Sequence, residues 1–225
     1  MDARINIHYN FVMEVFFYMG KYTRIYGIGK NDDKYIQYGV EPDVLLHDYD
    51  KYVKFIKGCE HCVRKDDRYT DYIAKVRQAG YNKCAILGNL TKKNKDATLE
   101  MHHGPIFNLF DICDIVTRYH LLKNDIKVLT TFDIGDEVLT AHEKDWIQIV
   151  MLSKTAHKGG HFNVFIDTKA SVGRIDKFID HYYDGMVDEH FSMIERYIRE
   201  AQKIPISEDN GLFDTAEKLK SFKWG

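Results

Sequence analysis

The sequence predicts an α+β fold in which helices dominate. Two observations lead to this class. Apolar residues recur at helical spacing over long stretches, and the clearest of these runs from Gly173 to Ile204. Two short segments, Ala97–Met101 and Trp146–Leu152, instead have the length and the boundaries of β-strands. We therefore expect a few short strands among helices.

Helical spacing of apolar residues predicts five helices, at Asp43–Lys57, Thr70–Gln78, Pro105–Leu122, Asp133–Lys144 and Gly173–Ile204. Pro42 favours the start of the first helix, and Gly80 ends the second. The last helix contains one candidate break near Gly185. Ser153 can cap a further short helix that runs through His157 towards His161.

Three histidines are expected to lie just after predicted strands. Cys84–Leu87 is a short apolar run followed by a turn signal, and Ala97–Met101 is expected to return beside it as the second strand of a hairpin. Trp146–Leu152 is a further strand candidate, dense in Ile and Val. His102 and His103 then follow one strand, and His157 follows another.

The composition is typical of a soluble globular protein. The 225 residues are 44% hydrophobic, and the 13% that are aromatic argue against a long disordered segment. No apolar run approaches the ~18 residues of a membrane-spanning helix, since Asn10–Met19 is short and contains Glu14. That stretch also lacks the features of a secretion signal, so we expect a cytoplasmic protein with no membrane partner. The formal net charge of −2 does not by itself indicate a nucleic-acid partner.

The spacing of four histidines predicts a metal site. His157 and His161 are four residues apart, which on a helix places both rings on one face. A third ligand from a neighbouring strand would complete a site with open positions for water and substrate. Adjacent strand residues point to opposite faces, so His102 and His103 are expected to differ in role. We assign His102 as the metal ligand and His103 as a general base.

These residues lie in segments that resemble a known family. Leu99-Glu100-Met101-His102-His103-Gly104-Pro105, together with the segment from Trp146 to His161, resembles the HNH (His-Me finger, ββα-metal) endonucleases. The similarity is greatest to the bacteriophage forms with colicin-like HH and HxxxH elements, and it covers about residues 82–163. Many of these domains begin with a Cys-x-x-Cys-Gly segment, which the segment from Cys84 to Gly88 resembles. Leu87 occupies the position of the second Cys.

The resemblance implies a ββα-metal core with flanking helices. The nuclease domain would span residues 81–165 and carry a helical insertion at about 106–144. Residues 1–80 would form a mixed or helical region that binds DNA or a partner. Residues 166–225 would form a helical C-terminal region.

The resemblance also implies an activity, namely metal-dependent hydrolysis of DNA phosphodiester bonds. One divalent ion (Mg, Mn, Ni or Zn) would be held by His102, His157 and His161, and His103 would deprotonate the attacking water. Three His ligands favour the softer ions.

Other residues take supporting roles under the same resemblance. Glu100 matches the acidic residue two positions before the His pair. Gln148 stands where the family has its central Asn and would orient the base, and Asp145 competes for that role. Lys154 and Lys158 would neutralise DNA phosphates.

Alternatives remain open at this point. The alternative function is that of a non-catalytic module that binds nucleic acid or protein and keeps a structural metal. Cys59 and Cys62 have the spacing of a zinc knuckle without a second Cys pair. Besides DNA, the candidate partners are a second copy of the chain, through the C-terminal helix, or another phage protein.

Overall fold

The computed structural model describes residues 39–88, 98–123, 127–154, 156–157, 166 and 170–203. The helices are α1 (Pro42–His47), α2 (Tyr49–Lys65), α3 (Asp67–Gln78), α4 (Leu109–Lys123), α5 (Thr131–Glu143), α6 (Ile175–Tyr182) and α7 (Asp188–Lys203). The strands are β1 (Leu99–His103) and β2 (Ile149–Ser153), and a single 3₁₀ turn spans Tyr183–Gly185. These elements fall into two compact units.

The first unit is built from three separate stretches of chain, residues 39–65, 110–138 and 182–191. Its apolar core takes side chains from all three stretches. The largest of these fully buried side chains are Tyr52, Phe55, Leu45, Ile56, Ile112, Ile115, Leu129 and Ile134.

Two glycines of the first unit lie where a larger residue would collide. A Cβ at Gly185 would run into the carbonyl oxygen of Ile115, and a Cβ at Gly135 would lie 3.0 Å from Cβ of Cys62. Gly185 lies in the 3₁₀ turn that follows α6, before α7 begins. The break predicted near Gly185 is therefore present, and close packing against α4 explains why glycine occupies it.

A buried polar network centred on Asp114 joins the three stretches of the first unit. Tyr52 O–H donates to Oδ1 of Asp114 at 2.6 Å, and Nε–H of Arg118 donates to Oδ2 at 2.8 Å. Nε2 of His190 lies 3.2 Å from the same Oδ2. The backbone N–H of Val187 donates to Nδ1 of His190 at 3.2 Å, so His190 is neutral with its proton on Nε2.

Burial and charge act together on the pKa values in this network. Burial alone would raise the pKa of Asp114, but the Arg118 guanidinium and the His190 hydrogen bond hold it well below its usual range. Burial lowers the pKa of His190 from its ordinary value, although Asp114 opposes that shift. The native unit therefore favours an ionised Asp114 beside a neutral His190.

The second unit contains the two-stranded sheet. β1 and β2 pair antiparallel, with Leu99 opposite Ser153 and His103 opposite Ile149. The pairing continues at each end through hydrogen bonds from Lys154 N–H to the Thr98 carbonyl and from Gly104 N–H to the Gln148 carbonyl. One buried cluster covers the sheet, formed by Cys84, Leu99, Val150, Met151, Leu152 and Ile166.

The helices agree closely with the periodicity predictions. Each predicted helix has a counterpart, and the α+β class is confirmed in general terms because the described chain is mostly helical with one small sheet. The last predicted helix is divided into α6 and α7 around the 3₁₀ turn. A ββα-metal core is not shown, and the three-part domain division remains a prediction.

One strand prediction is wrong. Cys84–Leu87 forms a turn rather than a strand, because Gly88 N–H bonds back to the Cys84 carbonyl at 2.7 Å. Ala85 N–H donates to the Met151 carbonyl and Ser153 N–H donates to Sγ of Cys84, which fixes this turn against β2. The partner of β1 is thus β2, which lies beyond α4 and α5 in sequence. A membrane-spanning helix is absent among the described residues.

Removing the charge of Asp114 should destabilise the protein strongly. In Asp114→Asn the buried Arg118 loses its counter-ion, and we expect the free energy of unfolding to fall by about 3–5 kcal/mol. Urea denaturation followed by far-UV circular dichroism measures this change. The control is Asp43→Asn, whose side chain is 84% exposed beside His47 and should alter stability little. Equal effects of the two substitutions would contradict the role given to Asp114.

The network should also make stability depend on pH. The pKa of His190 is lower in the folded protein than in the unfolded chain, where it is about 6.5. Neutral His190 therefore contributes fully to the free energy of unfolding above that pH, and the contribution is lost as the pH falls. We expect the free energy of unfolding to decrease between about pH 7.5 and pH 5. The slope should be shallower in His190→Gln, measured by the same denaturation series. An unchanged slope in that variant would assign the pH dependence to other groups.

Candidate functional site

Strand β1 separates the two adjacent histidines, as the alternation of strand residues predicts. Leu99, Met101 and His103 lie on one face of β1, and Glu100 and His102 lie on the other. His103 is 4% exposed, whereas His102 is half-buried. The two rings therefore belong to different surroundings, which we describe in turn.

The buried side holds a cluster of two histidines and two tyrosines. Nε2 of His103 lies 3.0 Å from Nε2 of His142, which is fully buried at the end of α5. The ring of Tyr69 stacks on His103 with 6.0 Å between centroids, and Tyr72 meets His142 edge-on at 5.3 Å. Both tyrosines come from α3 and are themselves buried.

This arrangement gives His103 a structural role in the second unit. A hydrogen bond between two imidazole Nε2 atoms requires one ring to donate and the other to accept. Nε2 of His103 is thus directed at another buried ring. The pair packs between tyrosines and fills the core rather than facing an open pocket.

Gln148 and Asp145, the two residues proposed to orient His103, contact other side chains, but Oε1 of Gln148 is buried without a hydrogen-bond partner among the described residues. Gln148 is buried, and its Nε2 donates to Oγ of Ser171 at 2.9 Å. Asp145 has a left-handed backbone (φ 54°) and ends α5, since its N–H donates to the His142 carbonyl at 2.8 Å. Its carboxylate lies 4.0 Å from Nζ of Lys75.

The opposite face brings Glu100, His102 and His157 together. Nδ1 of His157 lies 2.7 Å from Oε2 of Glu100. The rings of His102 and His157 have centroids 4.9 Å apart, with 63° between their planes. Ser153 Oγ accepts a hydrogen bond from Ala156 N–H at 3.2 Å, so the predicted capping role of Ser153 is present and its short helical turn carries His157 back over Glu100.

The remaining predicted site residues fall into two groups. Lys154 is exposed at the end of β2. His161 and Lys158 lie outside the described residues. Within the part of the chain that the structure describes, no group of three or more His, Cys, Asp or Glu side chains is arranged to hold a metal ion. The metal-ligand set therefore remains a prediction.

The two cysteines of the possible zinc knuckle are free thiols on α2. Cys59 is fully buried, and burial raises the pKa of its thiol well above the ordinary value. The Cys62 thiol contacts Oγ1 of Thr131 at 3.7 Å, and partial burial raises its pKa as well.

Sequence reasoning missed Tyr69 and Tyr72 as neighbours of the paired histidines, and it did not pair His142 with His103. A helical signal for His142 was present, because it follows Val138 by four residues and Leu139 by three, both of which are buried. That spacing places His142 on the core face of α5. Nothing local in the sequence, however, indicates that α5 delivers it to β1.

Comparison with known proteins gives one match. A family model described as Bacteriophage G278-like virion protein matches residues 29–221, which is most of the chain. No curated protein and no solved structure matches the sequence.

This match overturns the nuclease predictions. The family is a virion protein family and not the HNH endonucleases, so the HNH identification is wrong. The predictions of an enzyme and of metal-dependent DNA cleavage are wrong with it, and the prediction of DNA as a partner loses its support. The bacteriophage origin is confirmed. The short HH and HxxxH elements account for the misidentification, since they occupy few positions of a long chain.

Loss of the buried histidine pair should cost stability. His142→Ala removes the hydrogen-bond partner of Nε2 of His103 inside the core, and we expect the free energy of unfolding to fall by about 1–3 kcal/mol. The added cavity beside Tyr72 acts in the same direction. Urea denaturation provides the measurement, with the exposed His47→Ala as the matched control. If both variants unfold at the same urea concentration as the parent, the pair has no structural role.

Proposed function

Since this chain belongs to the Bacteriophage G278-like virion protein family, we propose that it is a structural component of the phage particle. It would act by holding its place among other virion proteins, without catalysing a reaction. The observation that carries this proposal is the family match over residues 29–221.

The geometry of the described residues supports a structural role. Each unit contains a buried cluster of ionisable side chains whose members contact one another. Asp114 contacts Tyr52, Arg118 and His190 within the first unit. His103 is paired with His142 within the second unit. Polar groups arranged in this way specify a single packed core.

The proposed partners are other proteins of the same particle. A second copy of the chain is one such partner. The expected location of the protein is the assembled virion. The chain would be made in the host cytoplasm, where it would meet those partners before assembly. DNA is not among the proposed partners, because that prediction depended on the nuclease resemblance.

The proposal predicts that the protein copurifies with intact particles. Density-gradient fractions of the phage that encodes the chain are analysed by quantitative mass spectrometry. We expect the chain in the particle peak, in constant ratio to the major structural proteins, and retained after a high-salt wash. A host cytoplasmic protein measured in the same fractions controls for contamination.

A plasmid-nicking assay distinguishes this role from the overturned one. Purified protein with magnesium, manganese, nickel or zinc should leave supercoiled plasmid intact, and His103→Ala should behave identically. Absence from purified particles would contradict the structural proposal. Cleavage that depends on His103 would contradict its non-catalytic character.

A further inference from the structure

The imidazole of His190 caps the start of α7. His190 is the third residue of that helix, and its Nδ1 accepts a hydrogen bond at 3.2 Å from the backbone N–H of Val187, which immediately precedes the helix. The backbone N–H of His190 donates in return to the Val187 carbonyl at 2.8 Å. A side chain in the third position that reaches back in this way gives a partner to an N–H that has none within the helix.

The other ring nitrogen binds this helix start to α4. Nε2 of His190 lies 3.2 Å from Oδ2 of Asp114, and the two side chains are 3% and 9% exposed. Because Nδ1 accepts a hydrogen bond, Nε2 carries the proton and donates to the carboxylate. One neutral ring thus connects the third stretch of the first unit, residues 182–191, with the second stretch.

Protonation of His190 would remove the acceptor that caps the helix. An imidazolium donates from both nitrogens and accepts at neither. A proton on Nδ1 would therefore face the N–H of Val187, with 3.2 Å between the two nitrogens. The capping hydrogen bond is then replaced by a contact between two donors, each of which has lost its partner there.

The surrounding charges also disfavour a protonated ring. The buried guanidinium of Arg118 on α4 already compensates Asp114 through a hydrogen bond of 2.8 Å. Tyr52 of α2 donates to the other oxygen of the same carboxylate. A second buried cation beside Arg118 would leave this interior with an excess positive charge. Burial accordingly lowers the pKa of His190, although Asp114 and Glu189 of α7 oppose that shift.

We propose that His190 is an acid-sensitive switch, which holds the start of α7 against α4 at neutral pH and releases it when the imidazole is protonated. The charged ring is stable only where water can solvate it, so the chain around Val187 and His190 has to open. The released segment lies within residues 182–191, while Arg118 stays bound to Asp114. This inference concerns a conformational response and does not depend on the proposed virion role.

Hydrogen exchange of the full chain, measured by mass spectrometry at about pH 7.5 and about pH 5, tests the proposal. The rates are corrected for the pH dependence of exchange in an unstructured chain. Peptides from residues 182–191 should lose protection by up to about 30-fold at the lower pH, which is about 1.5 units below the pKa of an exposed imidazole. Peptides from residues 49–57 of α2, which contain no histidine, should lose much less.

His190→Gln replaces the ring by an amide that does not titrate but can still accept from Val187 and donate to Asp114. In this variant, residues 182–191 should be equally protected at both pH values. The matched control is His47→Gln, because His47 also belongs to the first unit but has a side chain that is 54% exposed. The control should respond to acid as the parent does.

Two results would overturn the proposal. One is an equal loss of protection in the two sets of peptides of the parent, which would indicate that the whole unit opens. The other is a parental loss of protection in folded His190→Gln, which would assign the response to other groups. Far-UV circular dichroism checks that each variant is folded. If His190→Gln does not fold, the comparison of the two sets of peptides in the parent decides the outcome.

Discussion

The antiparallel register of β1 and β2 is the constraint on which the second unit depends. With His102 opposite Val150 and His103 opposite Ile149, the strand sends one imidazole into the core and the next to the other face. A shift of one residue would exchange these surroundings. His103 would then leave its buried partner, and His102 would enter an apolar cluster. The register therefore determines the chemistry available to each histidine.

The same constraint explains how a plausible motif led to a wrong function. One residue of the HH element does lie beside one residue of the HxxxH element, since the rings of His102 and His157 are in contact. A hydrolytic mechanism also requires an accessible base, and the ring assigned to that task is enclosed by Tyr69 and His142. Spacing along a sequence specifies which residues can meet, but not whether water reaches them.

Local patterns predicted most of the fold. Apolar periodicity located the helices, and alternation in β1 correctly assigned His102 and His103 to different faces. The turn at Cys84 was mistaken for a strand because its apolar side chains belong to the core cluster while its backbone bonds within a turn. The pairing of His103 with His142 joins residues 39 positions apart. Such a contact depends on tertiary packing, which single-sequence patterns do not encode.

Asp114 receives one contact from each of the three stretches of chain that form the first unit. Tyr52 comes from the first stretch, Arg118 from the second and His190 from the third. If any one stretch detaches, a buried charge loses part of its compensation, so local opening of that stretch is unfavourable. The first unit should consequently behave as one cooperative block in hydrogen exchange. In the proposed role as a component of the phage particle, that property would limit the partly unfolded forms that proteases could attack.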